Sequence, residues 1–488
     1  MIFNSFTFVI FFIAVTVVYF WLPYKYRWKM LLVASYIFYM GWSMKYALLL
    51  LASTGVTFLS GLAIEKYFKY RRTAVALSVI INIAILFIFK YANFTIQIAN
   101  GLFSWFGTSN QWNYLDLLLP VGISFYIFQA LSYTIDVYKG KIPVEKNFFF
   151  YALFVSFFPQ LVAGPIEKAS HLLPQLKKNF DFSYDRARDG LQLIIWGMFK
   201  KVVIANRLAI YVDMVYNNIE SFGPIELAMA SVMFAFQIYC DFSGYSDIAI
   251  GIAHIMGYNL MRNFNRPYFA RSIGDFWHRW HISLSTWFQQ YLYIPLGGNR
   301  VPVPRHYFNL FFTFLVSGIW HGANWTFIAW GALHGFMLVI ETMFKKIQHP
   351  HIKKGTFLGF VKVIWVFILV VLAWIFFRAN TITDAFFAIK SIFGGWNEFF
   401  VMQNWVEFWG GLKFVTFNNT VTHSIINALT IFSVVLLIVV QWLHKDDTIV
   451  EYLNSKSSWM RWTFNYIVII TFLLAGLFDN TQFIYFQF

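Results

Sequence analysis

Residues 308–333 read FNLFFTFLVSGIWHGANWTFIAWGAL, with one imidazole, His321, in the middle. No Asp, Glu, Lys or Arg occurs between Arg305 and Glu341. Such a run can cross a bilayer, which takes about 20 apolar residues per helix. An ionisable side chain at that depth is unfavourable, so it tends to face a protein interior or a wet cavity and to do chemistry there. Histidine titrates near neutral pH, which suits it to proton transfer. A buried, hydrogen-bonded structural histidine is the plainer alternative.

The rest of the chain has the same character. Its 488 residues are 59% hydrophobic and 22% aromatic, and only 12% are charged. Soluble domains carry roughly 25% charged residues, so the fold class is an all-α polytopic membrane protein. The net charge of +15 needs no nucleic acid, because basic loops on a membrane protein report orientation and contact with anionic lipid. One cysteine, Cys240, leaves no internal disulfide framework. The first apolar run, Phe3 to Leu22, lacks a basic leader and a small-residue cleavage site and is read as a retained span.

Apolar windows fall near 3–22, 30–45, 47–64, 74–94, 116–137, 148–166, 190–213, 226–257, 307–344, 358–378, 424–443 and 461–479. The 307–344 run is long enough for more than one span, and the total is roughly 10–13 crossings. Basic loops follow the first, third and fifth spans: Lys25, Arg27 and Lys29; Lys66, Lys69, Arg71 and Arg72; Lys139, Lys141 and Lys146. This places the N-terminus outside the cytoplasm. The alternation fails at 167–189, which is also basic, so 148–166 is either re-entrant or not a span. No internal repeat is visible, which counts against a transporter built from inverted halves. A second aromatic, sparsely charged region near 381–420 is expected along a membrane surface.

Within 262–306, Phe276, Trp280, Leu284, Trp287 and Tyr291 recur at helical spacing and predict an amphipathic helix at the interface or dipping inward, ending at Pro295-Leu-Gly-Gly-Asn299. His281 is the second candidate, against the alternative of a histidine packed among Trp277, Trp280 and Trp287. Asp275, His278 and His281 share a helix face, but the spacing fits no known zinc signature, and no metal is expected. Asp241 and Asp247 sit in Gln237-Ile-Tyr-Cys-Asp-Phe-Ser-Gly-Tyr-Ser-Asp247, inside an apolar run. Each is read as structural, while Tyr239, Ser243, Tyr245 and Ser246 around them suggest a polar cavity lining. Trp320, Asn324 and Ser285 are further candidates for that lining. The breakers in Pro120-Val-Gly-Ile-Ser124 and Gly164-Pro-Ile-Glu-Lys168 would shape a central passage. No phosphate loop or nucleophile elbow appears. A histidine acting as general base on a hydroxyl is the simplest chemistry left.

Arg266-Pro-Tyr-Phe, Phe276-Trp-His-Arg-Trp-His-Ile-Ser-Leu-Ser285, Pro295-Leu-Gly-Gly-Asn-Arg300 and Ser317-Gly-Ile-Trp-His-Gly322 occur in that order. Gly122-Ile-Ser-Phe-Tyr126, Phe158-Pro-Gln-Leu-Val-Ala-Gly-Pro165, Asp241-Phe-Ser-Gly-Tyr-Ser-Asp247, Phe376-Phe-Arg-Ala379 and Phe483-Ile-Tyr-Phe-Gln-Phe488 accompany them. Together they resemble the membrane-bound O-acyltransferases, in particular the bacterial alginate and peptidoglycan O-acetyltransferases. The teichoic acid D-alanyl transferase is similar in fold. The resemblance covers nearly the whole chain. It implies a ring of tilted helices around a central funnel, with re-entrant and interfacial helices. One acyltransferase domain would run over 1–488, with its catalytic core near 116–345 and C-terminal spans near 358–488. It also implies that His321 is the essential intramembrane histidine and His281 its second. The implied donor is a cytoplasmic thioester such as acetyl-CoA, with no bound cofactor, and the implied partner is an extracytoplasmic acetyltransferase. The membrane would be the bacterial inner membrane. Lys200, Lys201, Arg262, Arg266, Arg271 and Arg279 could attract donor phosphates, although orientation in the bilayer explains most of them. A glycan or lipid-intermediate transporter, with the histidines as proton relays, is the rival outside this class.

Overall fold

The computed structural model describes residues 1–108, 111–162, 164–345, 357–411, 420–478 and 483–484. These are helical or irregular, and no strand occurs among them. Among the described residues, six helices are long and apolar enough to cross a membrane: Met44–Lys66, Phe68–Trp105, Pro224–Ile255, Trp325–Phe344, Phe357–Arg378 and Ile425–His444. Phe6–Trp21 is shorter and equally apolar. Its exposed face carries Phe6, Ile10, Ile13, Val17 and Trp21. Water does not tolerate contiguous apolar surface of this kind, and lipid does.

The chain packs as two compact units, one from Met1–Leu191 with Ala249–Met261 and one from Gln192–Ile248 with Arg262–Ile484. In the first, the helix Ile123–Tyr138 is buried along nearly its whole length against Met44–Lys66 and Arg71–Leu86. It begins at Gly122, whose φ of 73° is left-handed and whose absent Cβ would meet the Leu161 carbonyl oxygen at 2.6 Å. Only glycine fits there without strain. The expected span over 116–137 therefore starts later, and 111–120 is irregular.

The ambiguous segment 148–166 holds only short helices, Phe148–Ser156 and Phe158–Leu161. Nine residues rise about 13 Å, less than half the hydrocarbon thickness. The loop basicity at 167–189 that broke the alternation thus has a local cause.

In the second unit the run opened by Val303 divides into an antiparallel pair, Val303–His321 and Trp325–Lys345. Gly318 and Gly331 let the two backbones touch. A Cβ on Gly331 would lie 2.5 Å from the Phe314 carbonyl oxygen and 2.9 Å from the Gly318 Cα. Small residues at such crossings allow close packing where lipid supplies no hydrophobic drive. Gly331→Val is expected to abolish the monodisperse folded protein on size exclusion in detergent. Gly101→Ala, where nothing lies within 4 Å of the new methyl, should leave it intact.

Candidate active site

His321 is the last residue of Val303–His321, and Gly322 leaves the helix in extended backbone. The ring is 2% exposed. It meets Trp320, Trp330 and Phe377 edge-on, with centroids at 5.0, 4.8 and 5.4 Å. The neighbouring turn is fixed by Asn324, whose Oδ1 accepts from the Thr326 N–H and whose Nδ2 donates to the Asn380 carbonyl. Asn324 is thus an anchor of the hairpin.

The expected continuous amphipathic helix across 276–291 is not formed. Ile273–Arg279 ends at Trp280, which is extended; His281 takes φ 43°, and Ile282–Phe288 begins anew. The backbone freed at the break is held by the strand-like segment beside it: the Ile282 N–H donates to the Asn263 carbonyl, and the Asn265 N–H to the Arg279 carbonyl. Phe276, Trp280 and Leu284 are each buried in protein. Local helical period cannot report a break that a distant asparagine stabilises.

That break turns His281 inward, where it is wholly buried. Asn263 Oδ1 accepts from the Ser283 N–H and hydroxyl and lies 3.2 Å from His281 Nδ1. The amide oxygen is an acceptor, so Nδ1 carries the proton and Nε2 the lone pair. His281 lies outside the six candidate spans, and burial pushes its pKa down to about 3, which keeps it neutral. Trp320 stands between the two candidates, with its ring centroid 6.3 Å from His281 and 5.0 Å from His321. Two histidines 40 residues apart in sequence are thus brought to one indole.

A cavity of about 250 Å³ opens beside them, walled by Trp277, His278, Ser285, Phe288, Thr313 and Ser317. Ser317 is one helical turn before His321; the cavity lining stops there and does not include His321. Ser285 also donates its hydroxyl to the Trp280 carbonyl.

The remaining predicted residues are held by ion pairs and hydrogen bonds. Asp241 pairs with Lys201, and its Oδ2 accepts from the Ile484 N–H at 2.7 Å. Asp247 and the Ser243 hydroxyl accept from Lys200 Nζ at 2.7 and 2.9 Å. Tyr239 accepts from Gln441 Nε2 and packs on Trp280. Lys200 and Lys201 are 3% and 2% exposed and belong to these ion pairs. They sit on the π-helical turn Phe199–Ala205, which rotates both inward. Arg266 and Arg279 reach Asp446, and Arg262 donates to the Asp446 carbonyl. Asp275 is engaged by Arg279 and by the Arg271 N–H. Nothing in the sequence pattern flagged His334, 13 residues beyond His321, as part of this cluster. Its ring lies 4.9 Å from Trp330. A search for imidazoles just past the end of the quoted run would have found it.

The model of the membrane-bound O-acyltransferase family matches residues 142–383, which hold both histidines. A peptidoglycan O-acetyltransferase of Helicobacter pylori is 35% identical over 94% of this chain and 91% of its own. This chain belongs to the membrane-bound O-acyltransferase family. The protein named "Probable alginate O-acetylase AlgI" in Pseudomonas aeruginosa is 39% identical over 81% of this chain and 76% of its own. The teichoic acid D-alanyltransferase of Bacillus subtilis is more distant, at 26% over 47% of this chain and 61% of its own. The protein is therefore a multi-pass membrane acyltransferase.

Proposed function

We propose that the chain moves acetyl groups from a cytoplasmic thioester, acetyl-CoA by chemistry, toward O-acetylation of an extracytoplasmic polysaccharide of the alginate or peptidoglycan type. The two more similar relatives cited above, matched over 94% and 81% of this chain, carry O-acetyl transfer in their names, and the D-alanyl transferase matches less of the chain at lower identity. One observation carries the mechanism: His281 and His321 flank the Trp320 indole inside a buried aromatic cluster. His321 takes the proton of an acceptor hydroxyl as its oxygen bonds to the acetyl carbon. The carbon–sulfur bond then breaks, and the imidazolium returns the proton to the departing thiolate. His281, neutral, positions the donor or passes the proton on the cytoplasmic side. In this reading the Trp320 side chain moves to admit reactants past Ser317. Residues 1–488 act as one acyltransferase, with the core at 116–345. It works in the bacterial cytoplasmic membrane with the N-terminus outward, beside an extracytoplasmic acetyltransferase that finishes the transfer to glycan.

The test is mass analysis of surface polysaccharides from cells with and without the gene. Loss of acetyl ester supports the reading. Loss of D-alanyl ester instead, or no change in any ester, overturns it.

A further inference from the structure

His334 is fully buried on the helix Trp325–Lys345. The Trp277 indole N–H donates to its Nδ1 at 3.3 Å. An indole nitrogen can only donate, so Nδ1 bears the lone pair and the ring proton sits on Nε2. That Nε2–H has no hydrogen-bond acceptor among the described residues. The same holds for the indole N–H of Trp330, itself fully buried. The two rings are 4.9 Å apart, and Trp330 is 4.8 Å from His321. Leaving a buried donor unpaired costs about 1–3 kcal/mol, and a span at bilayer depth offers no bulk water to offset it. Two such donors on one helix, one turn apart and beside the candidate base, imply an acceptor that arrives during function.

We propose that the N–H groups of His334 and Trp330 bind the carbonyl oxygen of the acyl thioester and stabilise the oxyanion that forms when the acceptor attacks. The inference rests on His321 being the base. As the new carbon–oxygen bond forms, the carbonyl π electrons move onto oxygen, where the two N–H groups receive the charge. They return as the carbon–sulfur bond breaks, and the proton goes from the hydroxyl through His321 to the thiolate. Trp277 acts one step back, as a positioning residue that holds the His334 tautomer with its proton on Nε2. Preorganised donors aimed at a developing oxyanion are worth more in a dry site than in water.

The experiment uses full-length protein in detergent or vesicles, with acetyl thioester and with its dithioester analogue, whose thiocarbonyl sulfur accepts hydrogen bonds poorly. Trp330→Phe keeps the ring and removes the N–H. It should lower kcat by about 10²–10³-fold with the donor KM little changed. It should also erase most of the wild-type preference for the oxygen donor over the sulfur donor. His334→Gln keeps an acceptor for Trp277 and a donor for the substrate, and should retain that preference. His334→Leu should lose it, and decides the matter if Trp330→Phe does not fold. A slowed Trp330→Phe or His334→Leu enzyme with an undiminished oxygen preference, or either variant at wild-type rate, overturns the assignment. Full activity in His321→Ala would instead overturn the parent reading.

Discussion

Cells in which His321→Ala replaces the wild-type protein, at equal abundance, are expected to lose nearly all of the acetyl ester that the gene confers on surface polysaccharide. A positioned general base contributes typically about 10²–10⁴-fold in rate. The side chain sits at a helix end rather than mid-helix, and its truncation breaks no backbone hydrogen bond within Val303–His321. The hairpin is held by the Gly318–Gly331 contact and by Asn324, so the variant should remain folded, with a thermal transition in detergent near that of wild type. That pairing of outcomes separates the catalytic from the structural reading. A structural histidine enclosed by Trp320, Trp330 and Phe377 would leave a cavity on truncation, and its loss would lower stability first and activity only in proportion. Wild-type ester levels with a stable His321→Ala protein would remove His321 from the chemistry.

The class of fold was readable from composition and from runs such as Met44–Lys66, because lipid-facing helices need length and apolarity and little else. His321 drew attention because an ionisable group in an apolar run has few harmless explanations. What escaped was set by contacts distant in sequence. The break at Trp280–His281 depends on Asn263 and Asn265, which a local pattern cannot report. Gly122 and Gly331 are glycines because another backbone comes within van der Waals range, and neither partner is a sequence neighbour. His334 went unnoticed because it lies one residue beyond the run that drew attention to His321. Its significance is legible only from the Trp277 indole that fixes its tautomer.

Lys200 and Lys201 show the same limit most clearly, since in sequence they are two more basic residues near a span. Lys201→Met is expected to unfold or strongly destabilise the protein, whereas Lys201→Met combined with Asp241→Asn should recover most of the loss. Lys201 and Asp241 are 2% and 3% exposed. Removing one partner strands the other charge in a medium that cannot solvate it, at a cost of about 3–5 kcal/mol. Neutralising both removes that penalty. The asparagine oxygen can still accept from the Ile484 N–H, which Asp241 Oδ2 holds at 2.7 Å. Thermal stability and yield in detergent for the two single variants and the double variant close the cycle, and the coupling energy read from it reports the pair itself. A double variant as unstable as Lys201→Met would mean that the charge of Asp241 serves something beyond Lys201. The folded state would then owe its Ile484 anchor to a carboxylate rather than to a neutral acceptor.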